Sequence, residues 1–207
     1  MTATEPSDEF IRRRTVALAL RDGTRVRLRP IRPQDKSMLA ESMKRLSPES
    51  RYRRFFSPID TLTPGLLTLL TEIDYVNHFA WVALATDEIG EHAVGVGRYI
   101  RLTDPPTSAE IAVTIRDDYQ GRGLGTLLYE MLGLVAHEQG ITEFMAFVLP
   151  ENSPMRHLLR GEGMELHFSR GDGVLRGTGP VRTERDELLN ANLYDQLIAA
   201  ARGELGP

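Results

Sequence analysis

A glycine-rich stretch in the second half of the chain constrains the fold more strongly than any other feature. The stretch reads Tyr119-Gln120-Gly121-Arg122-Gly123-Leu124-Gly125-Thr126. Before it, Ile111, Val113 and Ile115 alternate with other residues, which is the period of a strand with one buried face. After it, apolar residues recur at helical spacing from residue 124 to residue 139. The glycines are therefore predicted to lie on a turn that leads from a strand into a helix.

This turn has the chemistry of a phosphate-binding loop. The first N–H groups of a helix have no partner within the helix, and the helix dipole places partial positive charge there. Glycine lets the backbone approach an anion closely, and Arg122 can add a full charge. The alternative is a helix entry without a ligand, but three glycines at one helix start disfavour the helix and so argue for a function. The residues predicted to bind phosphate or pyrophosphate are Gln120, Gly121, Arg122, Gly123, Leu124, Gly125 and Thr126.

Neither of the two common nucleotide-binding fingerprints fits this loop. The spacing of Gly121, Gly123 and Gly125 differs from G-x-G-x-x-G, and the loop lies more than halfway along the chain. The phosphate loop of nucleoside triphosphatases would need a lysine directly after its last glycine, and Thr126 stands there. The pattern Q/R-x-x-G-x-G/A does fit, and it resembles the acetyl-CoA pyrophosphate loop of the GNAT superfamily of N-acetyltransferases. The resemblance implies acetyl-CoA as co-substrate.

The order of predicted elements agrees with that resemblance. Over residues 24–170 it runs strand, helix, helix, three strands, helix, strand, helix and strand, which is the order of the GNAT fold. The resemblance implies an α/β (α+β) fold: a central mixed, mostly antiparallel sheet with splayed central strands, flanking helices and an added C-terminal helix. We assign residues 15–182 to this acetyltransferase domain. Residues 1–14 are predicted to be a mobile polar arm, and residues 183–207 a C-terminal helical extension.

Three local patterns refine this division. Asp22-Gly23 between two alternating runs predicts a β-hairpin. Ser47-Pro48 predicts a helix start, and the following residues 51–56 are interpreted as amphipathic, with aromatic side chains inward and arginines in solvent. Residues 183–201 are predicted to form one helix that packs on its own chain, with docking on another subunit of a homodimer as the alternative. The apolar face of that helix consists of Leu189, Leu193, Leu197 and Ala200.

Composition narrows the class of protein. The chain has 207 residues, 41% of them hydrophobic, a net charge of −4 and no cysteine. The acidic balance argues against a nucleic-acid partner, and no apolar run approaches the length that spans a membrane. The lack of cysteine excludes disulfides, thiolate catalysis and cysteine-ligated metals, and it favours a cytoplasmic location. The five histidines show no metal-ligand spacing, so no metal is predicted.

The resemblance implies Glu110 as the catalytic residue, although on the sequence alone a solvated acid would be the better interpretation. A lysine amine has a pKa near 10.4, so well under about 1% of it is neutral at pH 7, and a positioned base raises the reactive fraction. Glu110 lies ten residues before Gln120, on the opposite strand face from Ile111. In the bacterial Pat-type protein lysine acetyltransferases a glutamate at this place is the proposed general base. The alternative is a solvated acid near a strand end.

The resemblance also implies which residues hold the cofactor arm. In GNAT proteins the strand before the loop splays from the next strand, and its free backbone groups bind pantetheine; here these would belong to Val113, Thr114 and Ile115. Asn152 matches an asparagine that often contacts the arm, and capping a helix explains it equally well. Many members have a tyrosine, proposed to protonate the thiolate, where this chain has Leu159. The proton donor therefore stays open, with water or His157 as alternatives.

A narrower resemblance bears on the acceptor. Residues 27–33, 46–52, 73–78 and 116–125 are similar to the acetyltransferase domain of Pat-type enzymes. This similarity implies that the acceptor is a protein lysine. Two alternatives remain: the same chemistry on a small amine (an amino acid, a polyamine or an aminoglycoside), and a non-catalytic module that binds acyl-CoA, for which the missing tyrosine leaves room.

Overall fold

The fold is built on one mixed β-sheet. The computed structural model describes residues 6–88, 90–169 and 173–206 of the chain. Its strands are β1 (Val16–Ala19), β2 (Arg25–Pro30), β3 (His78–Asp87), β4 (Gly90–Arg101), β5 (Ser108–Ile115), β6 (Glu143–Val148), β7 (Glu165–Phe168) and β8 (Leu175–Pro180). The α-helices are α1 (Asp8–Arg12), α2 (Lys36–Lys44), α3 (Pro48–Phe55), α4 (Pro64–Thr71), α5 (Leu124–Glu138), α6 (Ser153–Gly161) and α7 (Tyr194–Arg202). Short 3-10 turns occupy Pro33–Asp35, Asp117–Tyr119, Arg185–Glu187 and Ala191–Leu193.

The strands are arranged β1-β2-β3-β4-β5-β6-β8-β7. Every neighbouring pair is antiparallel except β5 and β6, which run parallel. Strand β8 lies between β6 and β7 and pairs with both. The sequence Gly171-Asp172-Gly173 is typical of a turn, and its first two residues lie outside the described part of the chain. The arrangement confirms the predicted mostly antiparallel α/β fold.

Helix α5 is the main helix of the core. It packs on β3, β4 and β5, and eleven of its fifteen residues are buried. It lies close to the sheet because β4 presents glycines to it: a Cβ atom added to Gly95 would meet the Ile115 Cδ1 atom at 2.8 Å. A Cβ atom on Gly97 would meet the Leu132 Cδ1 atom at 3.1 Å. The sequence of β4 therefore fixes how deeply the helix after the glycine loop is seated.

Helix starts follow the predicted capping chemistry. The side chains of Ser47, Thr63 and Asn152 accept hydrogen bonds from backbone N–H groups in the first turns of α3, α4 and α6. Each of these helices also has a proline at its first or second position, where its fixed φ suits the helix and no N–H is needed. None of the helices in the described part of the chain has the length and hydrophobicity needed to cross a bilayer.

The N-terminal region differs from the predicted polar arm. Residues 1–5 lie outside the described residues, but Asp8–Arg12 forms α1, and Ile11 is only 1% exposed. The ring of Phe10 packs edge-on against Tyr75 at a centroid distance of 5.2 Å. Ser7 caps the helix by accepting a hydrogen bond from the Phe10 N–H. The two apolar side chains Phe10 and Ile11 pack this segment against the protein. The prediction followed the many charged residues around them and so overlooked this packing.

The C-terminal region is not one helix. Residues 183–193 form bends and two 3-10 turns, and the α-helix begins only at Tyr194. Leu197 and Ala200 are buried against α5 as predicted, whereas Leu189 is 55% exposed. The backbone before α7 is drawn to Glu130, whose carboxylate accepts hydrogen bonds from the Leu189 and Asn190 N–H groups and from the Asn190 side chain. This bonding replaces the first turns of the predicted helix. Pro207 lies outside the described residues.

Candidate functional site

The site is a cleft at the point where β5 and β6 separate. These strands pair only from Ser108 to Glu110 on β5 and from Glu143 to Met145 on β6. Beyond Glu110, β5 continues along β4, while β6 continues along β8. The gap forms a cleft of about 470 Å³, lined by residues 110–115 of β5 and 146–148 of β6. A strand edge without a partner leaves backbone N–H and C=O groups free for a ligand.

The residues predicted for the cofactor arm lie on this open edge. Val113, Thr114 and Ile115 all line the cleft. Asn152 lines it from the start of α6, and its side-chain oxygen accepts a hydrogen bond from the Met155 N–H at 3.2 Å. The capping interpretation of Asn152 is thus confirmed. Its contact with the cofactor arm stays a prediction, which its position in the cleft wall permits.

The glycine loop forms one end of the cleft. Gln120, Gly121, Gly123, Gly125 and Thr126 line the space, and Gly123 is the N-cap of α5 without a side-chain capping bond. Gly121 and Gly123 have φ values of +73° and +87°, a conformation that other residues adopt only under strain. The unpaired N–H groups at the start of α5 therefore adjoin the cleft, as an anion site requires. Leu124 is buried beneath the loop, 1% exposed, and does not line the cleft.

Arg122 does not face the cleft. Its Nη1 atom donates to the Asp22 Oδ2 and Thr24 Oγ1 atoms, each at 3.1 Å, and its guanidinium lies over the Tyr119 ring. The cation that lines the cleft beside the loop is Arg21, from the β1–β2 hairpin, whose side chain lies about 3.5 Å from where a Gly123 Cβ would be. Arg122 thus fixes the hairpin that carries Arg21. No local signal in the sequence marks Arg21, because about a hundred residues separate it from the loop.

Helix α3 is tied to the loop by Asp117. This carboxylate accepts hydrogen bonds from the Ser47 N–H at 2.9 Å and from the Ser50 hydroxyl at 2.6 Å. Burial raises the pKa of Asp117, but these bonds outweigh it and hold the pKa below its usual value. Gln120 donates to the Ile115 C=O at 3.1 Å, so its amide braces the loop against β5. The start of α3 and the loop consequently form one wall of the cleft.

Glu110 lies at the other end of the cleft, on the face covered by α3. It is exposed, and no hydrogen bond or ion pair involves its carboxylate within the described residues. Ala112 and Thr114 share its face, and Arg54 and Phe56 line the cleft opposite them. In register, Glu110 is paired with Ile100, which in turn is paired with His78. A carboxylate held on a strand, open to the cleft and without a fixed donor, is free to accept a proton from a ligand.

The faces of α3 differ from the prediction. Tyr52 and Phe56 are 44% and 40% exposed, whereas Arg51 and Arg53 are partly buried. Arg51 pairs with Asp60 at 3.2 Å, and Arg53 pairs with Glu49 at 2.5 Å. The arginines therefore lie against the protein, and two aromatic side chains are left outside. Phe55 packs against the core as interpreted, but the interpretation is wrong for Tyr52 and Phe56, which are exposed, and for the arginines.

The part of the cleft around Leu159, where many family members have a tyrosine, has both apolar and polar side chains in its wall. Leu159 is 2% exposed and lines the cleft, and His157 lines it nearby. Tyr129, on α5, also lines the cleft, and its buried hydroxyl has no hydrogen-bond partner in residues 6–88, 90–169 and 173–206. Within the described ranges, no three His, Asp or Glu side chains come together as a metal site would require.

Comparison with known proteins agrees with this geometry. A family model for the acetyltransferase (GNAT) domain matches residues 25–165. The acetyltransferase Pat of Mycolicibacterium smegmatis is 36% identical over 144 residues, which cover 70% of this chain and 42% of the relative. The acetyltransferase PA5475 of Pseudomonas aeruginosa is 37% identical over 140 residues, covering 68% of this chain and 75% of the relative. The chain therefore spans about four tenths of the Pat relative.

A solved structure extends the similarity to three dimensions. The GNAT domain of Pat from S. lividans superposes with a TM-score of 0.75 at 32% sequence identity. The match covers 85% of this chain and 99% of that domain. At this identity and coverage the two chains share the same fold.

Proposed function

Because this chain belongs to the GNAT acetyltransferase family, we propose that it transfers the acetyl group of acetyl-CoA to the ε-amine of a protein lysine, with Glu110 as general base. One observation carries the proposal. A single cleft joins the free N–H groups at the start of α5 to an unpartnered carboxylate through a gap between parallel strands. An elongated phosphate-bearing thioester and an amine can thus meet within the sheet.

The residues divide into a binding group and a reacting group. The backbone of residues 120–126 would hold the pyrophosphate, with Arg21 supplying the charge that Arg122 does not. The open edge at Val113, Thr114 and Ile115 would hold the pantetheine arm, and a backbone N–H there would stabilise the oxyanion. These assignments place the thioester near Ala112, within reach of an amine over Glu110.

The reaction needs one bond formed and one broken. The neutral amine attacks the acetyl carbon, the C–N bond forms, and the C–S bond breaks to release the CoA thiolate. Glu110 takes the proton that the nitrogen loses, because an amine becomes acidic as it acylates. The thiolate takes its proton from water. Metal ions have no part in this proposal.

Protein lysine is preferred to a small amine because the Glu110 end of the cleft is open. The exposed Phe56 lines that end, and Ile100, 44% exposed, lies next to Glu110 in register. Exposed apolar side chains around a site suit contact with a protein surface. The relative named acetyltransferase Pat supports the same choice. A cytoplasmic location, a homodimer, and the absence of nucleic-acid and membrane partners stay predictions.

The test compares wild type with Glu110→Gln for CoA release from acetyl-CoA between about pH 6 and pH 9. Lysine peptides and a panel of small amines serve as acceptors, and Glu165→Gln, an exposed acid on β7 outside the cleft, is the matched control. We expect Glu110→Gln to bind acetyl-CoA normally and lose about a hundredfold in turnover, least at high pH, where more amine is already neutral. Equal rates would remove Glu110 as base. Binding without turnover in either protein would favour a module that only binds acyl-CoA.

A further inference from the structure

Arg98 is a buried charge without an acidic partner. It lies on β4 and is 4% exposed. Its Nη1 atom contacts the Leu70 C=O at 3.2 Å and the His78 Nε2 atom at 2.9 Å. Burial first, and then the charge of Arg98, lower the pKa of His78 to about 4, so this imidazole is neutral near pH 7 and balances no charge. No carboxylate oxygen of the described residues lies within 4.0 Å of the Arg98 guanidinium.

Arg29 shows how the same fold treats a structural arginine. It is 6% exposed, nearly as buried as Arg98, and its two terminal nitrogens each donate to an Asp35 oxygen at 2.7 Å. Burying an unpaired charge is strongly unfavourable, which is why buried arginines are normally paired. The lack of such a partner at Arg98 therefore calls for an explanation other than stability.

A second unpaired arginine stands beside it. Arg54 on α3 forms no ion pair within the described residues, and Glu110 is the acid whose charge acts on it. Burial and the positive charge of Arg54 lower the pKa of Arg98 to about 9, so each guanidinium destabilises the other. Both arginines line a small cavity of about 50 Å³, and Arg54 and Thr114 line both this cavity and the main cleft.

The small cavity has the lining of an anion site. A third arginine, Arg116, borders it; its Nε and Nη2 atoms pair with Asp118, but its buried Nη1 atom has no hydrogen-bond partner in the described part of the chain. The hydroxyl residues Ser42 and Thr114 also line the space, and no acidic residue does. The other walls are apolar, and the volume suits one or two small groups of the size of a water molecule, about 30 Å³ each. A carboxylate on a short aliphatic stem matches this shape and charge.

We propose, as an extension of the acetyltransferase function above, that Arg54 and Arg98 form a carboxylate subsite next to Glu110. Arg98 is paired in register with Ala112, the next residue after Glu110 on the same strand face. Same-face neighbours on a strand lie roughly 7 Å apart, so a carboxylate here belongs to a reactant at the transfer site. The shared face with Glu110 makes the acceptor its source: a lysine with an acidic residue beside it. The other source is an acyl group ending in a carboxylate.

The experiment measures kcat/KM for two peptides that differ only in Glu or Gln beside the acceptor lysine. A second arm compares succinyl-CoA with butyryl-CoA, a donor of equal chain length without the carboxylate. A third arm titrates succinate into the protein by calorimetry and requires no turnover. The variants are Arg98→Met and Arg54→Met, and Arg45→Met on the exposed end of α2 is the control with the same loss of charge.

We expect wild type and Arg45→Met to prefer the Glu peptide by about tenfold and to bind succinate, and both properties to be lost in Arg54→Met and Arg98→Met. Arg98→Met should melt no lower than wild type, because the charge it removes is unpaired. Should Arg98→Met fail to fold, Arg54→Met decides alone. A preference confined to succinyl-CoA and lost in the variants assigns the carboxylate to the donor.

Three outcomes overturn the subsite: no carboxylate preference in either kinetic arm, a preference that survives both substitutions, or succinate binding that is absent or equal in all four proteins. Failure of the acetyltransferase function is a different result. It appears as acetyl-CoA binding without transfer to any amine, and the succinate titration then decides the subsite independently.

Discussion

Glu162, which directly follows α6, is a buried carboxylate close to Glu130 and Tyr129. It is 1% exposed, and its Oε1 atom has no hydrogen-bond partner among the residues that the structure describes. Burial, with a further contribution from the negative charge of Glu130, raises the pKa of Glu162 from 4.5 to about 7. The folded protein therefore binds a proton at this site more tightly than the unfolded chain does. The ionised form opposes folding, so stability from this group falls as pH rises from 4.5 towards 7.

Glu162→Gln should therefore stabilise the protein at high pH. A shift of one pKa unit corresponds to about 1.4 kcal/mol, so the ionised carboxylate lowers the free energy of unfolding by about 3 kcal/mol above pH 7. We expect the uncharged amide of glutamine to restore about 1 to 2 kcal/mol of that loss. We expect the gain at about pH 8 to shrink towards pH 5, where Glu162 is protonated in the fold. Urea unfolding at both pH values measures it, with Glu165→Gln as control. A loss of stability of equal size at both values would contradict this account.

Arg21 and Arg122 show that a sequence pattern can predict a loop without predicting which arginine faces the ligand. The pattern correctly placed the glycines and the helix N-terminus, because these depend on neighbours along the chain. The direction of Arg122 depends instead on Asp22 and Thr24, about a hundred residues earlier. An Arg beside glycines can face the ligand or brace the loop, and only the fold decides. Arg54 and Arg98 were missed for the same reason, because their lack of partners is a property of the packed structure.

At the level of elements, the sequence predicted best where backbone chemistry is local. Caps at Ser47 and Asn152 and the hairpin at Asp22-Gly23 were all confirmed, since each depends on a few adjacent residues. Helix faces were harder. In α3, Arg51 and Arg53 form ion pairs with Asp60 and Glu49, so the charge of these side chains does not predict that they are exposed to solvent. In residues 183–193, backbone N–H groups donate to the buried carboxylate of Glu130 instead of forming the hydrogen bonds of a helix.

The seating of α5 on β4 is an element-scale prediction that Gly95→Ala tests. The new methyl group would lie 2.8 Å from the Ile115 Cδ1 atom and 3.2 Å from Leu124 and Leu128. Overpacking of this kind costs about 1 to 3 kcal/mol. Because Leu124 begins α5, the shift should also disturb the loop. We expect a lower free energy of unfolding together with weaker acetyl-CoA binding, measured by urea unfolding and calorimetry.

Gly65→Ala is the matched control for that substitution. Gly65 lies in the first turn of α4, where a Cβ atom would meet nothing within 4 Å. The same chemical change should there raise the free energy of unfolding by about 0.5 to 1 kcal/mol, because alanine favours the helix. Acetyl-CoA binding should not change. An equal gain at Gly95 would show that α5 is not in tight contact with β4.

On the scale of the whole molecule, hydrogen bonds join the segment after α1 to the segment after α7, and α7 packs on α5. The Arg13 Nε atom donates to the Gly203 C=O at 2.7 Å, and the Leu205 N–H donates to the Arg13 C=O at 3.3 Å. Arg202 pairs with Glu138 at the end of α5. Leu189, from the same C-terminal segment, lines the cleft. Composition and periodicity predicted the sheet and its order of elements, but they treated both ends as appendages, because contacts between distant termini leave no local pattern.

These contacts predict that the C-terminal segment unfolds together with the sheet. Leu197 on α7 is fully buried, and Leu→Ala substitutions in cores cost about 2 to 5 kcal/mol. The single tryptophan, Trp81, is buried on β3 and donates to the Met131 C=O of α5, so its fluorescence reports the core beneath α7. We expect Leu197→Ala to lower the urea midpoint by the same amount in Trp81 fluorescence and in circular dichroism. Gln196→Ala, exposed on the same helix, should change neither. If Leu197→Ala leaves the fluorescence midpoint unchanged, the core unfolds independently of α7, and the C-terminal segment is a separate unfolding unit.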